Sequence, residues 1–292
     1  MSGETDVGHR VLGDSVSVAL RLTAIELLLR PLGPWAARPL ALGLAALALL
    51  FPRVLRSQAT WLALAALVAV SIVVEWPLPD NHIYLLAYWC LAAGLALGAP
   101  DPGTTLARSG RLLLGFAFAF AVLWKGVLSP DYVDGRFFRV TLLTDDRFAD
   151  TVAVVGGLDR ETLEASRRAL VPLPGGAEAL EPPEVVEPPA FRRFANALTW
   201  GGLAVEAVLA LLCLAPSVGW VPRARHAVLL AFCALTYSVA PVAGFGWLLV
   251  AMGVSLCGPT DLWLRRSYVV IWLLVLLYSE VNWAGIVMDL LR

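Results

Sequence analysis

Apolar runs of roughly helix-spanning length follow one another along the chain, near residues 14–31, 34–51, 58–76, 83–99, 112–128, 195–218, 224–240, 242–258 and 267–288. A helix needs about 20 apolar residues to cross the hydrocarbon core of a bilayer. Lipid also forces backbone polar groups to bond within the spanning segment, which favours helices. The pattern therefore predicts an all-α polytopic bundle of eight or nine transmembrane helices. Composition agrees, with 59 % hydrophobic residues, 15 % charged residues and a mean hydropathy of +0.75. Soluble domains carry about 45–50 % and 25 %, so a soluble globule and a disordered chain are excluded. Four cysteines in 292 residues are too few for a disulfide scaffold, and a net charge of −1 offers no basic face for nucleic acid.

Two of these runs are ambiguous. Residues 14–31 include Arg21 and Glu26, so this segment either spans or lies in the interface as an amphipathic helix. The runs 224–240 and 242–258 are short, with Pro241 between them, which also fits a re-entrant hairpin. The N-terminal MSGETDVGHR is mixed in charge and does not read as a signal peptide. Arginine pairs at 53/56, 108/111, 223/225 and 265/266 mark every second connection, and the positive-inside rule makes those connections cytoplasmic. A multi-pass plasma-membrane protein with its C-terminus and residues 129–193 outside follows. The whole chain, 1–292, reads as one integral-membrane domain, and 129–193 forms an extracytoplasmic cap within it. The first half of that cap predicts a short helix around 160–170, whereas the Pro/Glu-rich second half reads as extended.

Of 22 basic residues, 21 are arginine and one, Lys125, is lysine. A lysine near a helix end ordinarily snorkels to the interface. Here arginine fills every other basic position, so the exception points to chemistry that arginine cannot perform: only lysine can give up its proton on desolvation. On the predicted topology Glu75, Asn81, His82, Lys125, Tyr237, Glu280 and Asn282 share the outer half of the bundle, and Glu206 sits midway along its helix. Ionisable groups in such places are expensive and mark function. Each also has an ordinary explanation. Asp80 and Asn81 can cap the fourth helix, Glu206 can pair with an arginine or with Lys125, and Glu280 can sit at the interface. Cys90, Cys213, Cys233 and Cys257 lack a C-x-x-C spacing and read as buried small hydrophobes. His9, His82 and His226 form no metal-ligand pattern, and no phosphate-binding glycine loop is present in the sequence.

The residues NHIYL at 81–85 and FAVLWKGVLSPDYVDGRFF at 120–138 resemble the transmembrane domain of vitamin K-dependent γ-carboxylases and their bacterial relatives, the HTTM membrane proteins. Arg21 in VALRL, Glu206 in LAVEAVL and the run GFGWLLVAM at 244–252 extend the resemblance over most of residues 15–260. It implies a short member of that group without the large extracytoplasmic domain of the true carboxylases, and an enzyme that oxygenates a reduced naphthoquinone, a menaquinone or vitamin K hydroquinone, without a metal. Lys125 is then the base, His82 assists it and Glu206 tunes it. Asn81, Trp124 and Tyr237 flank the cofactor, with Tyr237 near the place of a histidine that many HTTM proteins carry.

Two other classes compete. One is an accessory membrane protein for peptide maturation or export, whose partners are membrane lipid and a small peptide or another membrane protein. The other is a transporter using Lys125, Glu206 and Glu280 as relays. Replacing Lys125 with arginine, which keeps charge and loses basicity, separates the catalytic reading from both.

Overall fold

The computed structural model describes residues 14–77, 80–170, 185–240, 242–281, 286 and 290. Every regular element among them is helical. The principal helices are α1 (Ser15–Leu29), α2 (Arg38–Leu50), α3 (Gln58–Val74), α4 (Asn81–Leu97), α5 (Pro102–Leu123), α6 (Arg136–Thr144), α7 (Arg160–Ala169), α8 (Pro189–Leu214), α9 (Val221–Val239), α10 (Ala243–Ser255) and α11 (Leu262–Glu280). Three stretches, Pro102–Leu128, Pro189–Leu214 and Leu262–Glu280, are long and apolar enough to cross a membrane by length and composition, and α2, α3, α4 and α10 are shorter apolar helices.

Local chemistry sets many of the boundaries. Asp14, Ser57, Asp101 and Asp159 each accept a hydrogen bond from a backbone N–H in the first turn of the helix that follows, which relieves the unsatisfied donors of a helix start. Pro102 fits the first turn of α5 because its missing N–H would be unpaired there anyway. This cap starts α5 ten residues before the expected run at 112. Arg108 and Arg111 therefore lie in the helix rather than in the loop. In the same way α8 begins at Pro189, and Arg192 and Arg193 are helical.

The nine helices α1–α5 and α8–α11 run alternately between two ends. At one end the arginines gather. Arg56 bonds Ser17 Oγ from its Nη2 at 2.9 Å and also pairs with Asp14, tying the start of α1 to the start of α3. Arg111 donates to the carbonyls of Cys213 and Ala215 at 3.2 and 2.8 Å, and Arg225 to that of Leu212 at 2.9 Å, so two guanidinium groups grip the C-terminal end of α8. That is where the carbonyls of a helix are free and its dipole is negative. Nearby, His226 Nδ1 lies 2.8 Å from the Tyr268 hydroxyl and joins α9 to α11.

Helix α10 is the axis of the bundle: twelve of its thirteen residues are buried. It runs from one end to the other, with Gly244 under His82 and Gly253 under Tyr268. Its glycines set the packing distance. A Cβ at Gly246 would stand 2.9 Å from the Tyr237 ring, and one at Gly253 2.5 Å from that of Tyr268. Helix α1 also belongs to the core, with ten of its fifteen residues buried. A helix lying on a surface buries a single stripe, whereas α1 is packed among the other helices. Trp89 of α4 donates its indole N–H to Thr23 Oγ1 at 2.9 Å and fixes α1 in rotation.

Between α5 and α8 lies a separate small core. Leu142 and Leu143 of α6, Phe148, Val152, Leu158, Leu163 of α7, and Phe191 and Ala195 of α8 pack together. The predicted helix near 160–170 is α7. The Pro/Glu-rich stretch at 171–184, like Asn282 and His9, lies outside the described residues. All four cysteines are buried and unpaired.

Candidate functional site

At the end opposite the arginines, the helices part around a cavity of about 1180 Å³. Its lining combines residues from five helices, Asn81 and His82 at the start of α4, Phe118 and Phe120 on α5, Glu206 on α8, Phe245 on α10 and Ser279 on α11, with Arg30 just beyond α1. Trp124 and Lys125 follow α5 in a five-residue π-helical turn, Trp124–Leu128. Such turns are rare and cluster at functional sites.

Lys125 does not snorkel outward. Side chains on a helix lean toward its N-terminus, and for a residue at the far end of α5 that direction leads back into the bundle. Lys125 Nζ there meets Glu206 Oε1 at 2.5 Å, across 81 residues of sequence. Their side chains are 29 % and 11 % exposed. The ammonium also lies 5.4 Å from the centre of the Tyr132 ring, within cation–π range. Tyr132 belongs to a one-turn helix at Pro130–Val133 and is buried against Phe137 and Phe138, with ring centres 5.4 and 5.6 Å away. Burial, with the Glu206 charge adding to it, pushes the Tyr132 phenol above its usual range and keeps it a neutral hydroxyl. The residue is thus an apolar wall with an electron-rich face for the lysine.

The second oxygen of Glu206 is the unusual atom. Oε2 is buried and has no hydrogen-bond partner among the described residues. An unfilled buried acceptor costs about 1–3 kcal/mol, more for a charged group, and this one belongs to a residue that lines the cavity.

His82 stands on the opposite wall over α10. A Cβ on Gly244 would come within 3.0 Å of both Cδ2 and Nε2 of its ring and 3.7 Å of Arg30 Cδ. The absence of a side chain at 244 is therefore what lets histidine and arginine approach the axial helix. Arg30 lies 5.9 Å over the Trp247 ring, which stacks on Trp272 at 4.8 Å and 18°. One turn below, Glu26 is 2 % exposed, and its Oε2 also has no partner among the described residues.

Of the six residues anticipated from the sequence, Lys125, Glu206, His82, Asn81 and Trp124 line one cavity. Tyr237 does not. It is 3 % exposed and packs edge-on against Phe232 at 6.3 Å and over Gly246. The turn of α9 that carries it faces the axial helix rather than the cavity. Asp80 also departs from expectation: it occupies the cap position of α4, yet its side chain makes no capping hydrogen bond and lines the cavity. Glu280 is exposed at the end of α11. Sequence reasoning missed Arg30, Phe245 and Tyr132. Tyr132 had a signal in SPDYVDG, and Arg30 had one in its spacing of four from Glu26.

A scan against protein-family models, a search of curated proteins and a search of solved structures each find no match to this chain.

Chemically, the arrangement offers a proton-handling pair with one free acceptor oxygen, a histidine across the cavity, and aromatic walls. The wall toward the bundle exterior is itself apolar: Phe120, Trp124 and Leu128 are 65 %, 62 % and 57 % exposed.

Proposed function

We propose that this is a multi-pass plasma-membrane protein of eight or nine transmembrane helices, an enzyme that binds a reduced naphthoquinone in the cavity and takes a hydroxyl proton from it at the Lys125–Glu206 pair. The observation that carries this reading is the pair itself, set at 2.5 Å in an apolar-walled cavity with an acceptor oxygen unfilled. The resemblance to the vitamin K-dependent γ-carboxylases and HTTM proteins supplies the reaction class. When bound, a reduced naphthoquinone supplies two ionisable aromatic hydroxyls and reducing equivalents for dioxygen.

The residues present fit such a ligand. Phe118, Phe120, Trp124 and Phe245 offer faces for a fused aromatic ring. Glu206 Oε2 accepts a hydroxyl proton's hydrogen bond, and His82 and Asn81 hold the far side. The exposed apolar flank of α5 admits a lipid-soluble molecule sideways from the bilayer. In this orientation the arginine end is cytoplasmic, and the small core between α5 and α8 lies outside. Exposed Trp220 and Trp263 at the arginine end and Trp35, Trp76 and Trp124 at the other support two interfacial aromatic belts.

Titration of purified protein with 2-methyl-1,4-naphthoquinone, followed by quenching of tryptophan fluorescence, tests the reading. Saturable quenching that weakens in Trp124→Leu, together with consumption of the corresponding hydroquinone in air, is expected. Protein that neither binds the quinone nor accelerates hydroquinone loss overturns it, and leaves the accessory role in peptide maturation or export.

A further inference from the structure

Two oxygens of one carboxylate have different surroundings, and this divides the labour of the pair. We propose that Glu206, through Oε2, is the group that receives the ligand's hydroxyl proton, while Lys125 remains an ammonium throughout and holds the negative charge that results. The proposal rests on the hydroquinone reading above and refines which atom of that site acts.

Lys125 is surrounded by groups that attract its charged form. Glu206 Oε1 accepts from Nζ at 2.5 Å, and the Tyr132 ring presents its face at 5.4 Å. Both contacts favour an ammonium. An ammonium has three protons and no lone pair, so in this arrangement it donates and does not accept. The vacant acceptor of the site is Glu206 Oε2, on a residue only 8 % exposed and on the cavity lining. No other described donor fills it, and a ligand hydroxyl does. The other ionisable groups on the lining are Arg30, Asp80 and His82. Arginine is no acceptor, Asp80 is exposed at the cap position just before α4, and His82 turns its Nε2 edge toward Gly244 of the axial helix.

The proton balance is simple. The ligand O–H bond breaks, and Glu206 Oε2 gains the hydrogen and becomes a neutral carboxyl. The electron pair stays on the ligand oxygen, opposite the Lys125 ammonium, which Glu206 no longer neutralises. Transfer thus frees one positive charge at the moment a negative one appears beside it, the electrostatic arrangement that favours the charged product.

Infrared difference spectra of the purified full-length protein, recorded without oxygen on addition of 2-methyl-1,4-naphthohydroquinone, test this directly. A protonated-carboxyl C=O band is expected in wild type, shifted by ¹³C-glutamate labelling, lost in Glu206→Gln and retained in Lys125→Arg and Glu26→Gln. Hydroquinone affinity is expected to fall about 10- to 100-fold in Glu206→Gln, the equivalent of one hydrogen bond to a charged group, and to change less than about tenfold in Lys125→Arg. If Glu206→Gln does not fold, Glu206→Asp decides the assignment: it keeps a carboxyl at this position, and the band then no longer responds to the ¹³C-glutamate label. Hydroquinone that binds without a glutamate band, a band lost in Glu26→Gln, or a band lost in Lys125→Arg overturns the inference and leaves the site a binder of hydroquinone. Failure of wild type to bind the hydroquinone overturns instead the function on which it rests.

Discussion

Lys125 Nζ and Glu206 Oε1 stand 2.5 Å apart although 81 residues separate them in sequence, and this single contact joins the end of α5 to the middle of α8. Removing one partner leaves the other charged and part-buried. Because the lysine retains 29 % exposure, the cost of Glu206→Leu is expected at about 1–3 kcal/mol, below that of breaking a fully buried pair. The double variant Lys125→Met with Glu206→Leu is expected to recover most of that loss, because no unpaired charge remains. Thermal unfolding of the four proteins in one detergent measures the cycle. A double variant less stable than either single one contradicts it.

Gly244 predicts a second effect. An added Cβ meets the His82 ring at 3.0 Å, and overpacking of this sort costs about 1–3 kcal/mol. Gly244→Ala is expected to lower both stability and quinone affinity. Combining it with His82→Ala should restore stability, since the atoms in conflict are gone, without restoring affinity. Equal losses in the single and double variants would show that the ring is not what the methyl group strikes.

The Trp89–Thr23 bond offers an asymmetric test. Trp89→Phe removes a donor, and the Thr23 hydroxyl keeps its own bond to the Ala19 carbonyl at 2.9 Å; a loss of about 1 kcal/mol is expected. Thr23→Val strands a buried indole N–H and is expected to cost more, about 1–3 kcal/mol. Melting temperatures that rank the two the other way argue against this bond as the link between α1 and α4.

Acid should loosen the cap before the bundle. Hydrogen bonds from the Thr162 backbone and hydroxyl hold the Asp159 carboxyl below the ordinary aspartate range. A group whose value is lowered on folding contributes stability above its unfolded value, near about 3.9 for aspartate, and loses it as pH falls through the lower folded value. Amide exchange in the first turn of α7 is therefore expected to accelerate below about pH 4, and Asp159→Ala should show that faster exchange at neutral pH already. Exchange that is unaffected by the substitution rules out this cap as the anchor of α7.

Much of the architecture was legible along the chain, for identifiable reasons. Apolar runs marked nine of the described helices because such runs bury or meet lipid only as helices, and capping residues such as Asp101 and Asp159 marked starts. Alternation of helix direction was enough to bring residues 81, 82, 124, 125 and 206 toward one another, since it depends only on counting helices. The start of α5 was misjudged because a hydropathy window does not see the Asp101–Pro102 cap.

What the sequence by itself determined is the class of fold, the succession of helices along the chain and the neighbourhood of the single lysine. Tertiary structure alone decided which way each helix is turned about its own axis: that α1 is buried in the bundle, that Tyr237 faces α10 rather than the cavity, that Glu206 is the partner of Lys125, and that its second oxygen is left unfilled. The physical reason is that hydrophobicity in α1, α3, α4 and α10 is nearly uniform around the circumference and carries little rotational information. Rotation is set instead by close approaches at Gly244, Gly246 and Gly253 and by bonds such as Trp89 to Thr23, contacts between residues far apart in the chain.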